Sequence, residues 1–399
     1  MSNSQREYDI ILLGATGFTG KRAARYLSSQ APEQLRIGLA ARNAASLSVI
    51  AEEVGVADSD LFVVDTLDEQ QVLEVVSKTR ILITTVGPYS LYGEHVIAGC
   101  AKAGTHYLDI TGEVGFIKSM ADKYGETAKK SGAILIPFSG FDSVPAEVSM
   151  LLLSREFDPS EEVYIKSYYS LKGGLNGGTI ATMLNKFETG EYKLMSNPRL
   201  AMDSNEQQIG KATDQYFTGY DSSLKRWVTP FIMSGINSKV LYRSSDIFRN
   251  REEPLFKSIA YSEHASLGRW YNPTPFITTL LSLLLIQKLG PFSWFRKLVR
   301  TLAPAPGEGP SEKSIEEGFF KITSIANSTS GKRASVACSY PGDPSNKATV
   351  FFLCESALAL LEKLESRTTL THTGFLTPST ALGNELITRL SSKGYSINT

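Results

Sequence analysis

Six short apolar runs punctuate the first part of the chain: Asp9–Leu13, Arg36–Ala40, Leu61–Val64, Ile81–Thr85, Thr105–Asp109 and Ala133–Ile136. Each is largely continuous rather than alternating, as expected of a parallel strand buried on both faces. Between them lie stretches that read as helices, at about Lys21–Ser29, Ala44–Val54, Glu69–Lys78, Gly93–Ala103 and Val114–Lys130. Strand and helix alternating over short connections predict one doubly wound parallel sheet, whose ligand crevice lies at the carboxyl ends of the strands.

From Glu161 the pattern changes. Val163–Ser170 alternates as a half-buried strand does, Lys172–Gly178 is a glycine-rich loop, and Thr179–Glu188 reads as a helix. Residues 191–260 are polar and irregular, with strands expected near Arg226–Met233 and Ser238–Ser244 and alternation over Ile236–Arg243. Phe276–Ile286 carries no charge, and Phe292–Arg300 mixes aromatic rings with cations. The pair reads either as a helical hairpin buried in the domain or in a homodimer interface, or as an apolar lid touching a membrane, a lipid body or a long acyl substrate. Leu302–Pro310 is a linker rich in proline and glycine, Phe319–Ala326 and Ala334–Ser339 look like paired strands, and Asn346–Ser366 is a long helix with one apolar face. The expected architecture is therefore α/β: a Rossmann doubly wound parallel sheet over 1–145, a second α+β domain over 146–345 that includes the apolar stretch 275–300, and a helical segment over 346–399 packing back on the first domain.

Composition narrows the class. A length of 399 residues with 42% hydrophobic positions suits two globular domains. The formal net charge is zero, so no overall field draws the chain to nucleic acid. Cys100, Cys338 and Cys354 lie far apart, which argues against a disulfide framework or a structural metal site. The polar start, Met1–Glu7, has no signal-peptide core, and no apolar run is long enough to span a bilayer. The expected location is cytoplasmic, with peripheral membrane or lipid-body contact under the second reading of 275–300.

The candidate chemistry sits at the strand ends. Gly14-Ala15-Thr16-Gly17-Phe18-Thr19-Gly20 follows the first strand and opens the first helix. Free amides and the positive helix end face a ligand there, and glycine lets the backbone approach a pyrophosphate. Gly14, Thr16, Gly17, Phe18 and Thr19 are the expected contacts. The second strand ends at Arg42 and Asn43, with Ser46 following, where a cofactor with a free 2′-hydroxyl would meet an acid. An arginine there holds a 2′-phosphate, so the cofactor expected is NADP(H). Asp65 caps a turn or lies beside the adenine, and Val86, Gly87 and Pro88 border the nicotinamide. Tyr89 contacts substrate or cofactor, or packs. Asp109 and Glu113 read as acid–base groups or as helix caps. The turn-rich Gly140–Pro145 is the expected hinge between domains, and Tyr89, Asp142 and Ser143 are the candidate orienters or proton donors. His106 reads as structural, and His264 as structural or a proton donor. Tyr168 and Lys172 have a familiar Y-x-x-x-K spacing, but an extended strand holds them too far apart to act together.

Taken in order, Gly14–Gly20, Ala41-Arg42-Asn43, Val86–Tyr89, Tyr107–Asp109 with Thr111–Glu113, and Gly140–Pro145 resemble the saccharopine dehydrogenase-like oxidoreductase family. Pro306–Pro310, Gly342–Pro344, Thr371–Gly374 and Leu376–Pro378 are similar to its later blocks. The resemblance spans nearly the whole chain, more loosely over about 190–260. It implies a Rossmann domain with an inserted α+β domain, a nicotinamide cofactor, and the loop and helix after Lys172 facing the cleft. Because the family includes enoyl reductases acting in trans, it implies reduction of a C=C bond next to a carbonyl, on a small-molecule or acyl substrate, free or presented by a carrier protein. C=N reduction or amine oxidation of a polycarboxylate is the alternative. It would need cleft arginines, for which the second domain offers Arg226, Arg243, Arg249 and Arg251. A non-catalytic, lipid-associated protein that retains NADP(H) is the reading from a different class.

Overall fold

The computed structural model describes residues 6–204, 208–211, 217–222, 224–269, 271–305, 307–366 and 372–399. Pro306 and Thr371, which belong to two of the family-like blocks, lie outside the described residues. Six strands build the first sheet: β1 (Tyr8–Leu13), β2 (Ile37–Ala41), β3 (Leu61–Val63), β4 (Thr79–Thr84), β5 (His106–Asp109) and β6 (Ile134–Ile136). Their order is β6-β5-β4-β1-β2-β3 with every pair parallel, so the chain reverses direction beside β1. That reversal opens the crevice above β1 and β4. β1, β4, β5 and β6 are almost wholly buried, which explains their continuous apolar runs. The flanking helices take one face each and are tied at their ends by side chains such as Asp68, which accepts from the amides of Gln70 and Gln71.

The second sheet is built from β7 (Glu162–Lys172), β8 (Gln208–Ile209), β9 (Gly219–Asp221), β10 (Arg226–Pro230), β11 (Ser258–Arg269), β12 (Phe319–Ser328) and β13 (Arg333–Pro341). β7 lies between β12, antiparallel to it, and β11, parallel to it. The C-terminal segment then serves both sheets: β14 (Gly374–Phe375) pairs with β6, and β15 (Ser396–Asn398) pairs with β13. Its long helix, Thr349–Glu365, is buried from Thr349 to Leu361 and packs on the first helix, Phe18–Gln30. There Tyr26 donates to Glu355 at 2.6 Å.

Three expectations are corrected. The strand expected over Ile236–Arg243 is part of a helix, Ser234–Asn250. That helix is buried on nearly every side, so its small polar residues bond inside the protein and it has no solvent face to stamp a helical period on the sequence. The helix Val144–Ser154 has no counterpart among the expected elements, for the same reason of near-complete burial and because Pro145 in its first turn reads as a turn former, whereas Pro378–Ser392 falls within the helical segment expected over 346–399. The stretch 275–300 forms two helices, Thr274–Leu289 and Ser293–Leu302, but neither contains a buried residue, so it is not a hairpin buried in the domain.

Candidate active site

β1 runs directly into the glycine turn. The amides of Gly14 and Ala15 both donate to the Ala40 carbonyl, at 2.8 and 3.2 Å. Gly14 has φ +90°, and a Cβ on it would lie 2.8 Å from Thr85 Oγ1 and 2.9 Å from Val86. The turn can therefore nest against the loop after β4 only as glycine. No side chain caps the helix that follows. The first-turn amides of Phe18, Thr19 and Gly20 thus lack intrahelical partners and point along the helix axis at the crevice. Thr16 and Thr19 are half-buried beside them. These residues fit a pyrophosphate. The ring of Phe18 is committed to packing: Arg22 lies over it at 3.8 Å, and the backbone at Gly309 presses on its far edge. Only the Phe18 amide remains to meet a ligand.

Arg42 follows β2 and is exposed. Leu13 pairs with Ala40, so Arg42 leaves the sheet one strand away from the glycine turn. Asn43 spends its side chain on the amide of Ser46, at 2.8 Å, as a helix cap. Asp65 accepts from the Leu67 amide at 3.1 Å and shapes the turn after β3. This leaves Arg42 as the residue of this group that could hold a 2′-phosphate.

Around the nicotinamide end the acids divide by role. Glu113 accepts from the amides of Tyr89 and Ser90, at 2.7 and 3.0 Å, and caps the short helix Tyr89–Tyr92. Tyr89 is buried and donates to the Thr84 carbonyl at 3.2 Å, so its hydroxyl braces the Gly87–Pro88 loop from within rather than facing the cleft. Asp109 is fully buried and accepts from Tyr107 and from the amides of Thr111 and Phe138. Burial, against those bonds, pushes its carboxyl up to about 7. The bond to Phe138 holds that residue at φ +64°, a strained conformation for a bulky side chain, and so aims the loop after β6. Asp109 and Glu113 are positioning residues. His106 accepts from the Ile134 amide at 3.0 Å and is held neutral by burial, which lowers it to about 3. His264 is buried within β11, its ring beside Tyr168. Tyr168 bonds Asp221 and Lys172 faces Glu317, so those two form no unit.

The loop after β6 delivers Asp142 and Ser143 to a polar cluster that the sequence did not reveal. Ser143 is buried and bonds Asn237 at 3.4 Å. Asn237 in turn donates to both oxygens of Glu263, each at 3.0 Å, and Tyr169 and Tyr261 donate to the same carboxylate at 2.9 and 2.6 Å. Burial pushes Glu263 up to about 7, with the Asp142 charge adding to it. Among the described residues no donor is bonded to the Asp142 carboxylate, and burial pushes it up to about 6 while the Lys186 ammonium pulls the other way. Lys239 is buried, donates to the Gly235 carbonyl, and is lowered to about 8 by burial and by the charge of Lys186. The cluster thus sets an acid that accepts no hydrogen bond among the described residues, raised by burial, within reach of the Lys186 charge, an arrangement that could serve a proton donor near neutral pH.

The helix Gly177–Thr189 roofs this cluster. Its Lys186 donates to the Gly112 carbonyl at 2.7 Å and its Asn185 to Ser90 at 3.1 Å, so it lies across the loops after β4 and β5. The linker beyond Leu302 closes the other end, where Gly177 donates to the Glu308 carbonyl and Gly309 meets Phe18. Lys186, Asn237, Lys239 and Glu263 carry no motif. The only sequence hint is that Thr179, Thr182 and Lys186 share a helical face, which a solvated helix shows equally well. Of the four candidate arginines, Arg243, Arg249 and Arg251 donate to backbone carbonyls of Ala201 and Phe375, of Phe256 and Lys257, and of Thr380. They tie the fold together and do not line a carboxylate site.

A glycine-turn Rossmann domain with an arginine after its second strand, roofed by a helix of a second sheet domain, defines an NADP-dependent oxidoreductase. Residues 10–136 match the family model of the saccharopine dehydrogenase NADP binding domain. The chain is 31% identical to the trans-acting enoyl reductase of Mycobacterium ulcerans over 99% of its length and 98% of the relative's. It is 29% identical to the trans-acting enoyl reductase of Mycobacterium bovis over 100% of its length and 99% of the relative's. The solved apo saccharopine dehydrogenase (L-Glu forming) of Saccharomyces cerevisiae superposes with a TM-score of 0.55 at 12% identity, covering 98% of this chain and 99% of that one, and so shares the two-domain fold. The chain belongs to the saccharopine dehydrogenase-like oxidoreductases.

Arg42 gives the cofactor assignment a direct test. A charge-assisted hydrogen bond contributes about 1.5–3 kcal/mol, so Arg42→Ala weakens NADPH binding by about 10- to 100-fold and leaves NADH binding nearly unchanged. Fluorescence titration with each nucleotide measures this, and an unchanged preference would place the 2′-phosphate elsewhere.

Proposed function

We propose that the protein reduces the C=C bond of an α,β-unsaturated acyl substrate with NADPH, a reading supported by full-length relatives named trans-acting enoyl reductase and by the match to an NADP binding domain. The observation that carries the reading is Asp142, an unbonded acid beneath the roof helix and beside Lys186, where the loop after β6 faces the loops after β4 and β5. NADPH, when bound, supplies the hydride, which goes to the carbon β to the carbonyl. Asp142 in its protonated form gives a proton to the α carbon. Lys186 sets the acidity of Asp142 through its charge, and Asp109 aims the loop that carries Asp142. The roof helix and the linker past Leu302 keep water from the reacting carbons.

Imine reduction fits less well. Three of its four candidate arginines are held by backbone carbonyls, so a substrate with several carboxylates would find no clamp of that kind. The test is NADPH consumption with a trans-2-enoyl thioester against an α-keto acid mixed with a primary amine. Turnover of the thioester alone is expected, and turnover of the keto acid and amine instead would overturn the proposal.

A further inference from the structure

The two helices Thr274–Leu289 and Ser293–Leu302 stand on the second domain with an apolar surface that none of the described residues covers. On the first, Ile277, Leu281, Leu284 and Leu285 are all exposed, at the spacing of one helical face. On the second, Trp294, Leu298 and Leu302 repeat every four residues, with Phe292 exposed at its entry. The inner sides hold the pair in place. Phe276 packs on Trp227 at 5.0 Å, Gly290 sits against Phe187, and Arg300 pairs with Glu188 at 2.6 Å. A globular chain leaves so continuous an apolar surface for a partner.

Charge decides which partner. Residues 274–302 contain four cations, Lys288, Arg296, Lys297 and Arg300, and no acid, in a chain whose formal net charge is zero. Lys288 and Lys297 are exposed beside the apolar face. Two copies meeting through this surface would bring like charges together, whereas an anionic membrane takes the leucines into its interfacial zone and meets the cations with its headgroups. Exposed Phe292 and Trp294 suit that depth, where aromatic rings are enriched. Among the described residues no helix is long and apolar enough to cross a membrane, so the contact is a surface one.

We propose that this helical pair docks the protein on an anionic lipid surface. The pair stands on the helix Gly177–Thr189 through Arg300 and Phe187, so docking places the roof of the cleft next to the bilayer. The docking is separate from the reductase reading and is measured without turnover. The purified chain is expected to sediment with vesicles of phosphatidylcholine containing phosphatidylglycerol, weakly or not at all with phosphatidylcholine alone, and less as salt rises. Leu281→Glu with Leu285→Glu abolishes sedimentation. Lys288→Ala with Lys297→Ala weakens it by about 25-fold, at roughly five-fold per cation removed. NADPH titration of each variant confirms that the fold is intact, since none of these residues touches the cleft. Equal binding to neutral vesicles, no binding to either kind, or a dimer by light scattering that the leucine changes dissociate would each overturn the proposal.

Discussion

Asp142→Asn is expected to lower kcat for NADPH-dependent reduction by about 10²- to 10⁴-fold, the usual contribution of a positioned general acid, while NADPH affinity stays within about two-fold. The asparagine keeps the shape of the side chain and removes its proton. The pH profile supplies the sharper test. Burial holds the carboxyl at about 6, so its donor form is present below that value and disappears above it. The rate therefore falls as pH rises through about 6, and Asp142→Asn removes that limb. Lys186 opposes the shift through its charge. Lys186→Met takes the opposing charge away, raises the Asp142 carboxyl further, and moves the falling limb to higher pH. A purely structural role for Lys186 would lower the rate without moving the limb. If the limb instead lies near 8 and survives Asp142→Asn, Lys239 is the donor, since burial and Lys186 hold it at about 8.

The second large effect is expected at Gly20. A Cβ there would lie 1.9 Å from the Gly14 carbonyl oxygen and 2.7 Å from its carbon. Backbone atoms cannot give way as a flexible side chain would, so Gly20→Ala must part the helix from the glycine turn. Overpacking of this kind costs about 1–3 kcal/mol, and a displacement of about 1 Å at a positioning element costs on the order of 10²-fold in function. Gly20→Ala is thus expected to lose stability in urea and to bind NADPH about 10²-fold more weakly or worse. Gly125→Ala is the control. A Cβ on Gly125, in the helix Val114–Ser131 away from the crevice, meets nothing within 4 Å, and that variant should keep both stability and binding to within a few-fold.

Both predictions rest on residues that the sequence singled out, but what surrounds them was legible to different degrees. The glycine turn, Arg42 and the strands below them are local features. A buried parallel strand needs a continuous apolar run, and a phosphate turn needs glycine at set spacing, so the sequence pattern carries both. That these strands form one doubly wound parallel sheet was expected from the alternation, while their order was supplied by the structure. Tyr89 shows where local reading ends. Its place after Gly87–Pro88 put it near the cleft, but which way its hydroxyl points depends on the Thr84 carbonyl and on Glu113, which holds the backbone amide of Tyr89 itself.

Of the polar cluster proposed to donate the proton, Asp142 and Ser143 were legible in the sequence, while the partners that gather round them were not. Asp142 comes from the loop after β6, Lys186 from the roof helix, Asn237 and Lys239 from a helix whose burial disguised it as a strand, and Glu263 from β11. No spacing links them, because the residues that meet are brought together by a parallel pairing of β7 with β11 and by the roof helix crossing the other domain. The C-terminal segment behaves likewise. Its helical pattern is plain in the sequence, yet that β14 completes one sheet and β15 the other is decided only when both sheets exist to receive them. The chain by itself determined a glycine turn fit for a nucleotide phosphate and an arginine after the second strand, since those depend on a few consecutive residues. Which polar groups gather around Asp142, and that the apolar faces of the helices at 274–302 stay exposed among the described residues, was decided by tertiary packing, since burial, charge proximity and exposure are properties of neighbours distant in sequence.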